Sequence, residues 1–214
     1  INEFEEADVE LQKANEILLR LQPEQGFDLA EYYYLEGLFT RKSPIKKQNV
    51  IAFSDQKKKN LNAAIELYKK ALFALRFPKN YSINSIDDAD NWISLFNCID
   101  YLKNIADTYK EIADVEQNKN SENYFNSLNQ ALEHFKIAGA LIQKARKEIT
   151  SDESKIQLTE LEYKTFQNLV STAFDAYQKT KLTEYAELAF QSAERTKSSS
   201  VFDKLTNDAA LENS

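Results

Sequence analysis

Three stretches of the chain repeat one arrangement of small and large residues: Ala64, Tyr68 and Ala71; Ala131, Phe135 and Ala138; Ala186, Phe190 and Ala193. In each, the aromatic follows one alanine by four residues and precedes the other by three. That spacing lies along a single face of an α-helix, where the alanines admit a close neighbour and the ring fills the hole between helices. A hole that recurs along a chain is the mark of stacked units, each burying its face against the next. Ala7, Leu11 and Ala14 form a weaker copy, with Leu in place of the ring.

Composition points the same way. Only 3 Gly and 3 Pro occur in 214 residues, too few for the tight turns of a many-stranded sheet. Leu, Ala, Glu, Lys and Gln are abundant, and 43% hydrophobic content suffices for a continuous core. The expectation is an all-α fold of about seven helices in antiparallel pairs.

The helices can be placed from period and punctuation. The first carries Val9, Leu11, Ile17, Leu18 and Leu21 on one side and ends at Pro23 and Gly26. A second runs from about Asp28 to Thr40. Residues 40–59 read as a long connection holding at most a short helical turn, because Ser43 and Pro44 interrupt the pattern. A third spans Leu61 to Phe77 and stops before Pro78. Ser85 and Asp88 look like the cap of a fourth, about 28 residues long and reaching Val115. A fifth runs from about Tyr124, a sixth opens at Thr150 and Glu153, and a seventh starts near Leu182.

These features resemble the tetratricopeptide repeat family, whose second helix carries the Ala, aromatic, Ala signature. The family's first helix carries a large residue, a small one and then a tyrosine. Tyr33 and Gly37, then Leu102, Ile105, Ala106 and Tyr109, then Val170, Ala173 and Tyr177 fit that pattern. The resemblance covers about residues 28–197 and implies a solenoid of units near 28–78, 88–147 and 152–205, with residues 1–23 as the remnant helix of a preceding unit. Ala64 to Ala131 is 67 residues and Ala131 to Ala186 is 55, against a family period of about 34. A compact bundle is therefore the alternative architecture.

The resemblance also implies a function. First helices of such pairs face an inner groove, which here would carry Tyr34, Arg41, Lys103, Asp107, Lys110, Asp175 and Gln178. A groove of mixed charge suits a protein or peptide partner, or an adjacent part of the same chain. The family's carboxylate clamp of repeated Lys and Asn is matched only by Lys103 and Asn104, so that clamp is not expected.

The run around Glu194, Arg195, Lys197 and Ser198, followed by Val201, Phe202 and Leu205, is similar to the segment between the repeats and the caspase-like CHAT peptidase domain of bacterial repeat proteins. This would make the chain a sensor or regulatory arm, with catalysis beyond Ser214. A helical self-association module is a third reading.

Several function classes find no support in the residues. A net charge of −7 opposes general nucleic-acid binding. Residues 41–59 hold seven basic side chains against Asp55, yet only Phe53 could stack on a base, so a solvated insertion is the expectation. Three glycines cannot build a phosphate loop, and no paired carboxylates or cofactor motif stand out, so no enzyme and no cofactor are expected. Cys98 lies in an apolar run and reads as an inert buried thiol; His134 reads as a helix-surface residue. No apolar run approaches the roughly 18 residues of a membrane span. The chain starts at Ile1 within helical sequence and contains no methionine, the expectation for a piece of a longer protein. The compartment is left open, with a cytoplasmic one favoured.

Overall fold

The computed structural model describes residues 3–21, 24–45, 50–82, 92–116, 121–195 and 197. These form seven helices and no strand: α1 (Glu3–Leu21), α2 (Phe27–Lys42), α3 (Val50–Ala74), α4 (Leu95–Val115), α5 (Glu122–Glu148), α6 (Asp152–Thr180) and α7 (183–195). Each of α1 to α5 packs against the helix that follows it, and α4 also touches α6. Among the described residues no extensive packing brings α6 back to α1 or α2, so the helices form a repeat-like array of neighbouring pairs rather than a closed bundle.

Local chemistry sets the boundaries. Ser94, Ser121 and Ser151 each accept a hydrogen bond from the backbone N–H three residues on, capping α4, α5 and α6. The expected cap at Thr150 thus falls one residue later, and α4 is 21 residues long rather than about 28. Ser85 and Asp88 lie outside the described residues. After α3 the backbone turns left-handed at Arg76 (φ 68°), and the Phe77 N–H bonds the Leu72 carbonyl at 3.0 Å. Phe77 and Leu72 are both buried, so an apolar contact closes this end.

The largest departure from expectation is α3, which begins at Val50 and absorbs half of the supposed connection. Its first turns follow Val50, Ile51, Ala52 and Phe53 with an unbroken polar run from Ser54 to Asn60, which hid them from a periodicity test. They hold because Ser54 donates to the Val115 carbonyl at 3.1 Å and Lys58 pairs with Glu116 at 2.7 Å, both at the end of α4. Two lysines of the supposed basic loop, Lys57 and Lys58, are therefore turned inward against α4.

The core runs the length of the array. Tyr68 and Phe135 are 0% exposed, as the repeated pattern predicts. Tyr68 packs on α2 at Gly37, where a Cβ would lie 2.6 Å from the ring, so only glycine admits it without a shift. Phe135 packs among Ala106 and Tyr109 of α4, Leu169 of α6 and Leu188 of α7. The third copy departs: Phe190 is 68% exposed. On α1, Val9, Ile17 and Leu21 are exposed, and Leu11 and Leu18 are the partly buried members of the expected face.

Candidate functional site

The first helices of the three pairs, α2, α4 and α6, lie in a row on one side of the array. Side chains stitch the row together. Between α2 and α4, the Tyr34 hydroxyl donates to Asp100 Oδ2 at 2.8 Å and accepts from Asn104 Nδ2 at 3.2 Å. Arg41 donates from Nε to Glu111 Oε1 at 2.9 Å and from Nη1 to Asn104 Oδ1 at 3.3 Å. Lys57 of α3 adds a second cation 3.7 Å from Glu111 and donates to the Arg41 carbonyl. Tyr101 donates to Glu31 at 3.2 Å and stacks on Tyr34 with centroids 4.4 Å apart.

Between α4 and α6, Asn168 donates to Asp107 Oδ1 at 2.7 Å, and Asp107 Oδ2 takes Lys103 at 2.8 Å. Lys110 stands 3.5 Å from both Asp114 and Asp175. The Lys103 and Asp107 side chains are only 13% and 16% exposed, so this pair forms a floor, while Asp175 at 41% lies nearer the rim. Of the seven residues expected to line the face, six sit in this stitched row; Gln178 is exposed on α6.

Electrostatics follow from burial. The Tyr34 and Tyr101 hydroxyls are held well above the ordinary phenol range, chiefly by burial and then by neighbouring groups, Asp100 among them. Tyr68, behind them, is pushed up to about 12 by burial, against the opposing charge of Arg41. Its hydroxyl is buried and close enough to feel Arg41, yet it makes no aligned hydrogen bond.

Asp100, Glu111, Glu31 and Asn168 belong to the row but were missed in the sequence, and Asn104, weighed there only for the carboxylate clamp, belongs to it too. A signal existed. Asp100, Asn104, Asp107 and Glu111 step by four, three and four along α4, which places all four on one side of the helix. Asn104 is itself buried, satisfied by Tyr34, by Arg41 and by the Asp100 carbonyl.

The opposite side of the array differs. A cleft of about 540 Å³ between α3, the turn at 78–82 and α5 is lined by Lys69, Lys79, Tyr81, Tyr109 and His134, among others. His134 is buried (5% exposed), which corrects the surface reading. Its Nδ1 lies 2.7 Å from the Gln130 carbonyl, an acceptor only, so Nδ1 carries the proton and Nε2 accepts from the Tyr81 hydroxyl at 2.8 Å. Burial lowers its pKa, which keeps it neutral. Cys98 is buried, and its thiol is pushed up to about 12 by burial alone, as befits an inert core residue.

No group of three metal-ligating side chains is gathered among the described residues, and none of their helices is long and apolar enough to cross a membrane. At the end of α7, Glu194 pairs with Lys197 at 2.8 Å; Ser198, Val201, Phe202 and Leu205 lie outside the described residues. Compared with known proteins, the chain matches no protein-family model, no curated protein and no solved structure.

Proposed function

We propose that the chain is a non-catalytic, tetratricopeptide-like scaffold that binds a peptide segment of another protein on the face formed by α2, α4 and α6. The observation that supports this reading most is the stitching of that row. Hydrogen bonds run from α2 through α4 to α6, so the face is pre-ordered before any partner arrives. A pre-ordered face loses little entropy on binding. Its paired floor and more open rim suit a ligand that carries both charges, since Lys110 stands 3.5 Å from two carboxylates, Asp114 and Asp175, and a ligand carboxylate can take the place of one of them.

The test is a peptide-display library panned against the chain, followed by titration of the enriched peptides on variants. Asp175→Lys and Lys110→Glu change the rim without touching the core. The reading expects each to weaken the enriched peptides about tenfold or more, with Lys136→Glu on the exposed side of α5 as a neutral control. Peptides indifferent to both rim changes would sink it.

A further inference from the structure

A second surface lies at the other end of the row. We propose that the groove between α1 and α2 is a docking site for a basic amphipathic helix of a partner protein, separate from the peptide face and independent of it.

The groove has a volume of about 440 Å³. Leu11 and Ala14 of α1 and Leu35 and Leu38 of α2 line it, and Phe4 stacked on Phe39, with centroids 4.2 Å apart, holds the two helices together. Polar side chains enter its lining only as Glu10 and Lys42 among the described residues. Leu35 is 43% exposed there, and Phe27 at the start of α2 is 48% exposed. Apolar side chains exposed along one groove lose water when an apolar helix face covers them.

Repetition in the array says that the occupant is a helix. α4 packs against both α5 and α6, and α2 packs against α3 while bonding α4. α2 and α4 therefore each rest on the second helix of their own pair and on the next helix of the row. One step further along the row, the corresponding seat is offered by α1 and α2. α2 and α4 each bring a small residue, Gly37 or Ala106, to their closest packing, so a helix with a small residue at its centre and Leu-type residues beside it fits the same geometry.

Charge sets the chemistry of its polar flanks. Between Glu5 and Arg20, α1 carries Glu5, Glu6, Asp8, Glu10 and Glu16 against only Lys13 and Arg20. Lys13 is already engaged by Glu10 at 2.7 Å. In helical register Asp8 and Glu10 border the Phe4, Ala7, Leu11 and Ala14 stripe, so a helix seated there meets carboxylates beside α1, and Lys or Arg bordering its own apolar stripe would be attracted to them. This is the helix-in-groove mode of recognition, in which apolar anchors give affinity and flanking charge gives orientation.

Two synthetic 18-residue helical peptides with the same Leu stripe, one with a Lys polar face and one with a Glu polar face, test the proposal by fluorescence anisotropy on the whole chain. The Lys peptide should bind at least tenfold more tightly than the Glu peptide. Leu35→Glu should weaken the Lys peptide at least tenfold. This substitution adds a negative charge, so a peptide held by charge alone would bind more tightly, and that result would overturn the proposal. Leu11→Glu provides a second variant, with circular dichroism confirming that both variants keep their helix content. Equal binding of the two peptides, or binding of neither, would also overturn it. So would concentration-dependent dimerisation in sedimentation that Leu35→Glu abolishes, since the seat would then belong to a second copy of the chain.

Discussion

Phe135 and Phe190 hold the same place in a repeated pattern, yet one is fully buried and the other is 68% exposed. The helices that carry them are alike. What differs is their surroundings: Phe135 stands between α4, α6 and α7, while Phe190 stands on the last of the described helix pairs. A periodic aromatic marks a face that can be buried, and burial itself is conferred by the neighbour.

The strongest way to break this comparison is to remove both rings. Phe135→Ala should cost about 3–5 kcal/mol, because the cavity it leaves is enclosed on three sides. Phe190→Ala should stay within about 0.5 kcal/mol, as befits an exposed site. Chemical denaturation of the two variants measures both, and equal losses would show that the Phe190 ring is covered in solution.

The first copy offers a sharper version. Gly37→Ala places a Cβ 2.6 Å from the Tyr68 ring, so the ring or the helix must shift, at a cost of roughly 1–3 kcal/mol. A lowered melting temperature is the expected reading, and an unchanged one would mean that α2 and α3 are less closely seated than Tyr68 implies. Tyr68→Phe should act in the opposite sense. It removes a buried hydroxyl that makes no hydrogen bond, so stability should hold or rise by about 1 kcal/mol. A clear loss would reveal a bond from Arg41 to that hydroxyl.

The smallest effect concerns His134, next to Phe135 on α5. Its folded pKa lies below the unfolded value near 6.5, because burial disfavours the cation. At a pH between the two values the unfolded chain binds a proton that the folded chain does not, so stability rises with pH in that window. The contribution is fully present above about pH 6.5 and is lost progressively as the pH falls below it towards the folded value. Melting temperatures from pH 7.5 to 5.5 should drop more for the native chain than for His134→Gln. Parallel curves would return His134 to the surface.

Much of the fold was legible because helix formation is largely local. The scarcity of Gly and Pro and the recurrent Ala, aromatic, Ala spacing each act within a few residues, and they correctly implied paired helices and the buried Tyr68 and Phe135. The start of α3 was not legible, since Ser54 and Lys58 are secured by the distant end of α4 rather than by their own neighbours. His134 was misread for the same reason: its burial depends on Tyr81, 53 residues away.

The row of α2, α4 and α6 divides in the same manner. Tyr34, Arg41, Lys103, Asp107, Lys110 and Asp175 were expected on one side from the resemblance to the repeat family. Their pairings could not be read, because Asp100, Asn104, Glu111 and Asn168 meet them across helix boundaries. The sequence by itself determined that the chain is helical, which faces of its helices are apolar, and where the recurrent rings stand. Tertiary structure alone decided which of those faces are covered and which polar groups are paired, because burial and pairing depend on residues far apart in the chain that only packing brings within reach.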